Sequence, residues 1–79
     1  MELIQNTADE CTLRNDDDAL VCHVKIAGDV RADINVPELQ PGQSIQFTLA
    51  PPSERRSGQL RVTWETHLAE KQVLTHQLH

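Results

Sequence analysis

Apolar and polar residues alternate along most of this chain. In ALVCHVKI, Leu20, Cys22, Val24 and Ile26 fall on one side, and Val21, His23 and Lys25 on the other. In DVRADINV, Val30, Ala32, Ile34 and Val36 point one way, while Asp29, Arg31, Asp33 and Asn35 point the other. SIQFTLA supplies Ile45, Phe47 and Leu49, and QLRVTWE supplies Leu60, Val62 and Trp64. A period of two buries one face of a strand. A helix would scatter these residues around its circumference.

Turn residues separate the alternating segments. Ala27-Gly28-Asp29 reads as a tight turn. In Pro41-Gly42, proline presets the first central position of a turn and glycine takes positive φ at the second. Pro51-Pro52 ends a strand, since proline donates nothing to a ladder. Ser57-Gly58 opens the next strand. ELIQ and ECTLR make two short strands, or one strand broken near Asn6 to Asp9. HLAEKQVLTHQLH carries only a poor helical stripe and reads as a last, edge strand. The expectation is an all-β protein: a small antiparallel sandwich of about six strands, with little or no helix. Phe47 and Trp64 are in phase with their apolar neighbours, so both belong to the core, with Trp64 its main residue.

Length makes residues 1–79 one domain with a thin core. A chain this short buries only roughly 60–65% of its unfolded surface. The formal net charge is −5, from 7 basic and 12 acidic residues. That balance argues against nucleic acid, where phosphate neutralisation needs a basic face, and against an anionic membrane surface. No apolar run approaches the roughly 18 residues of a membrane span, so no membrane insertion is expected. MELIQNTADECTL has no basic region followed by an apolar block, and does not read as a secretory signal. A cytoplasmic protein and a mature periplasmic or extracellular segment both fit.

The cysteines bear on that choice. If Asn15 to Asp18 form a four-residue hairpin loop, Cys11 stands opposite Cys22. Opposed cysteines at a non-hydrogen-bonded site meet disulfide geometry. Such a bridge would stabilise by roughly 2–3 kcal/mol. The other reading is two ordinary buried thiols.

ALVCHVKIAGDVRADINV, PELQPGQSIQFTLAP and SGQLRVTWE together resemble small bacterial Ig-like sandwich modules, the CARDB-like and related domains of exported proteins. The shared features are the turn Leu39-Gln40-Pro41-Gly42-Gln43-Ser44 leading into an alternating strand, and Gly58 opening a later one. The chain departs where such modules often carry Asn-Gly after a strand, since Ala27-Gly28 stands there. The resemblance covers residues 19 to 66. It implies an Ig-like structural or protein-binding module of an exported bacterial protein or assembly.

Catalysis has little support in the residues. Zinc wants three or four nitrogen or sulfur ligands. His76 and His79 point oppositely on a strand, His67 and His23 are far away, and the cysteines lack paired spacing. Asn15-Asp16-Asp17-Asp18 lacks the glycine and the spaced glutamate of a calcium loop. Ser44, Ser53 and Ser57 sit in turns outside any nucleophile motif. On a regular strand Cys22 and His23 face opposite ways, so that histidine cannot serve as base for that thiol. No enzyme, cofactor or metal site is expected. Recognition of another protein is expected through the Arg55-Arg56 loop, which offers bidentate donors. It is also expected through the C-terminal edge strand, at Gln72, Thr75 and Gln77, by edge-strand pairing or self-association. The competing expectation is a stand-alone, small acidic cytosolic inhibitor or adaptor of bacterial or phage type, with free thiols.

Overall fold

The computed structural model describes residues 1–78; His79 lies outside the described residues. Seven strands form: β1 (Glu2–Gln5), β2 (Glu10–Arg14), β3 (Val21–Gly28), β4 (Ile34–Leu39), β5 (Ser44–Thr48), β6 (Gln59–Glu65) and β7 (Lys71–Gln77). The only helical element among the described residues is a 3₁₀ turn at Pro52–Glu54. The strands make two antiparallel sheets, ordered β1-β2-β5 and β4-β3-β6-β7. The fold is the all-β sandwich expected, with ELIQ and ECTLR as separate strands. The core lies between the sheets. Cys11, Leu13 and Phe47 from the smaller sheet meet Val24, Ile26, Leu39, Leu60 and Val62 from the larger.

Local turn chemistry behaves as the sequence predicts. Gly42 sits at φ 78°, and the Gln43 N–H donates to the Gln40 carbonyl at 3.0 Å. That is the proline-glycine turn between β4 and β5. Gly58 has φ 68° at the entry to β6.

Four expectations are corrected. First, β2 and β3 do not form a hairpin. β2 pairs with β1 and β5, and β3 with β4 and β6, so the chain crosses between sheets after Arg14. Cys11 is buried in the interior, beside Phe47 in register. Cys22 is half-buried and pairs in register with Glu38 and Glu65, on the outer side of the other sheet. Both are free thiols. The Cys11–Cys22 pairing is therefore not formed, because Cys11 points into the core while Cys22 lies on the outer side of the larger sheet, which stands between them.

Second, β3 does not alternate throughout. Cys22 pairs with Glu65 but Lys25 pairs with Thr63, so β3 carries one extra residue against β6, a β-bulge. His23 sits there at φ 52°, in the left-handed region. Val21, Val24 and Ile26 are buried, in place of the expected Leu20, Cys22, Val24 and Ile26. Two residues rather than one stand between inward Val21 and inward Val24. Cys22 and His23 thus share the outer side, against the expectation that they face opposite ways.

Third, DVRADINV is not one strand. β4 begins only at Ile34, and Ala32 is exposed. Residues 29–33 leave the larger sheet and cross to the smaller one. Val30 bridges Leu49 there, and the Arg31 N–H donates to the Thr48 carbonyl at 3.1 Å.

Trp64 is likewise not the main core residue. It is half-buried and packs against the core cluster from its border. The largest fully buried side chains are Leu13, Ile26, Leu39, Leu49 and Leu60. The phase was legible, but Trp64 stands one residue from the end of β6, beside exposed Gln72, and stays half-buried.

Candidate functional site

The two sheets present four edges, and three are blunted. β1 has only four residues. β5 is only five residues long, and its C-terminal end is covered by Arg31 and by the Val30–Leu49 bridge just beyond it. β4 carries Pro37 at its centre, which has no N–H to offer. β7 carries none of these devices. It is seven residues long and pairs with β6 along its whole length, from Lys71↔Glu65 to Gln77↔Gln59. Its other side is the open border of the sheet. The C-terminal segment is thus the edge strand that its sequence suggested, and Gln72, Thr75 and Gln77 are all exposed on it.

Beside this edge the outer face of the larger sheet holds a shallow hollow of about 340 Å³. Lys25, Arg61, Thr63, Glu65, Lys71 and Val73 line it together with His23, Trp64 and Gln72. The registers place these residues in rows. Lys25 is beside Thr63, which is beside Val73, and Arg61 is beside Thr75. His23 Nε2 lies 3.8 Å from Glu65 Oε2. Lys25, Arg61 and Lys71 take part in no ion pair among the described residues. Val73 is 54% exposed in the middle of them.

The Arg55-Arg56 loop divides into two roles. Arg55 is committed to the fold: its Nε donates to the Ala50 carbonyl at 2.9 Å and its Nη2 to the Ala8 carbonyl at 2.7 Å. Its guanidinium is therefore a staple between two turns. Arg56 keeps an exposed side chain, while its backbone N–H is held by Asp29. With Arg31 and Glu54 these arginines border an open cleft of about 610 Å³.

Two polar residues that sequence reasoning missed as anchors hold the frame around these surfaces. Asp29 is 5% exposed. Its carboxylate accepts from the backbone N–H groups of Arg56 at 2.9 Å, Ser57 at 3.2 Å and Gly58 at 2.6 Å. The Arg56 N–H, followed by Gly58 and Ser57, outweighs the cost of burial and holds the Asp29 carboxyl below its ordinary value. Asn15 is fully buried and satisfied: Nδ2 donates to the Ala19 and Leu39 carbonyls, and Oδ1 accepts from the Asp17 N–H. An aspartate directly after a strand-ending glycine, and an asparagine at the end of an alternating run, were the available signals. Burial pushes the Cys11 thiol up against the opposing pull of Arg55, so this cysteine is a packing residue.

No three or more His, Cys, Asp or Glu side chains converge in a metal-holding group among the described residues. No helix among the described residues is long and apolar enough to cross a membrane. Comparison with protein families, with curated proteins and with solved structures finds no match for this chain.

Proposed function

We propose that this chain is a non-catalytic, Ig-like protein-binding module that receives an extended segment of another protein as an added strand on β7. One observation carries the reading: β7 is the single long edge among the described strands without a proline, a cap or a truncation. Open edges of that kind template pairing, and strand addition uses their unpaired N–H and C=O groups. The alternating exposure of β7 supports the same reading, because half-buried Leu74 and His76 anchor the strand inward. The strand can then receive a partner without leaving the sheet. The Ig-like character is supported by the division into three and four strands and by the crossovers between sheets.

A second reading, a small cytosolic inhibitor or adaptor of bacterial or phage type, is favoured by the two free thiols, the state that a reducing compartment maintains. Both readings use the same edge.

Selection of binders from a displayed library of random extended peptides tests the proposal. Bound peptide should slow amide exchange along Lys71–Gln77, and Thr75→Pro should weaken binding on the order of tenfold, the scale of one lost hydrogen bond plus local distortion. A library without binders, or binders whose protection maps elsewhere, would overturn it.

A further inference from the structure

We propose that the segment received by β7 is acidic, with an acidic–x–apolar–x–acidic pattern on its outward side, and that Lys71 and Arg61 hold its carboxylates. This rests on the strand-addition reading of β7.

The chain is acidic, at −5, yet both of its lysines and Arg61 line one hollow. With Glu65 as the only carboxylate in that lining, the local balance is three minus one, or +2 with His23 neutral. Glu38 lies on β4, at the opposite border of the sheet from β7. Of the other carboxylates, Glu70 lies in the turn just before Lys71, outside the lining, while Asp16-Asp17-Asp18 lie at the β2–β3 crossover and Glu2, Asp9 and Glu10 on or beside the smaller sheet.

Register then says what a neighbouring strand would meet. The outward positions of β7 are Lys71, Val73, Thr75 and Gln77, since Leu74 and His76 are the half-buried ones. A residue added beside Lys71 meets its ammonium directly. A residue added beside Val73 meets an exposed apolar side chain. A residue added beside Thr75 lies two strand spacings, roughly 10 Å, from the Arg61 backbone. Arginine and glutamate side chains together span that distance over the small Thr75. Lys25, one strand further in, adds to the field that draws the segment onto this face. The pattern reads the same in both directions, so it holds for a parallel or an antiparallel strand.

The experiment uses three synthetic peptides on a Thr/Val frame, whose two flanking outward positions are Glu, Gln or Lys. Each is titrated against the full chain at low salt by fluorescence anisotropy. The Glu peptide should bind about tenfold tighter than the Gln peptide, as a few exposed ion pairs allow, and the Lys peptide more weakly than either. Added salt should erase the difference. Arg61→Glu with Lys71→Glu, both at exposed positions, should invert the order while leaving the unfolding midpoint in place. Equal binding of all three peptides, lost in Thr75→Pro, would overturn the acidic preference and leave strand addition standing. Glu-peptide binding that survives in a folded Thr75→Pro variant would overturn both. A failure of all three peptides to bind would overturn this inference, with the library selection deciding separately on the edge. Equally tight binding of a single-stranded oligonucleotide would overturn it in favour of a general polyanion surface.

Discussion

The Asn15 side-chain amide donates to the Leu39 carbonyl at 3.0 Å, across 24 residues of sequence and inside the protein. The same residue receives the Gly42 N–H on its backbone carbonyl and gives its own N–H to Gln43. The crossover after β2 is therefore fastened to the proline-glycine turn between β4 and β5. This contact replaces the hairpin that the Asn15-Asp16-Asp17-Asp18 run suggests.

Asn15→Ala should destabilise the protein by about 2–4 kcal/mol. The substitution leaves the Leu39 carbonyl buried without its donor and also frees the Ala19 carbonyl and the Asp17 N–H; such losses are individually worth about 1–3 kcal/mol. Chemical denaturation followed by Trp64 fluorescence measures it. A change below 1 kcal/mol would mean that water reaches these groups.

Asp29 should give the protein a specific acid sensitivity. Its carboxyl is held below the ordinary value, first by the Arg56 N–H, so the folded state favours the charged form. A depressed native pKa contributes stability that is complete above the unfolded value near 3.9. That contribution drains away as pH falls through that value toward the native one. Asp29→Asn should lower stability at pH 7 and flatten its dependence on pH below about 5. Denaturation midpoints from pH 7 to pH 3, for both proteins, test the slope.

Gly28 tolerates no side chain. It has φ +106°, and a Cβ there would approach the Gln59 carbonyl oxygen to 2.5 Å. That oxygen belongs to the backbone at the start of β6, so it cannot swing aside. Gly28→Ala should cost at least about 2 kcal/mol, combining strained backbone with a steric clash. Gly42→Ala meets no neighbouring atom within 4 Å and should cost less, through its positive φ alone. Thermal melts of the two variants should rank in that order.

Leu60 should matter more than Trp64. Leu60 is fully buried, whereas Trp64 lies at the border of the core. Leu60→Ala should cost about 2–5 kcal/mol, as for other buried leucines. Trp64→Ala should fall below it despite the larger volume removed. A Trp64→Ala variant less stable than Leu60→Ala, in denaturation followed by circular dichroism, would restore Trp64 to the centre of the core.

Strand identity was carried by the sequence itself, because alternation and turn chemistry are local. Ser44–Thr48 and Gln59–Glu65 occur where their patterns lie, and Pro41-Gly42 turns the chain as its φ preferences require. The C-terminal strand could be read the same way: Gln72, Thr75 and Gln77 already marked it as a solvated edge, and it holds no proline to block pairing. What alternation cannot state is which sheet a strand joins. β2 and β3 are consecutive and look like a hairpin, yet they join different sheets, and Asn15 fastens the crossover between them to Leu39, 24 residues away. Asp29 in the same way takes its donors from residues 27 to 29 positions distant and turns a predicted strand into a crossover. The bulge at His23 likewise exists only against β6, where one extra residue moves Cys22 and His23 to the outer side and Val21 inward. The cationic hollow is of the same kind. Lys25, Arg61 and Lys71 are far apart in sequence, and only the pairing of β3, β6 and β7 brings them to one face. A two-residue period records which residues seek burial, and only the tertiary structure decides which neighbours satisfy them.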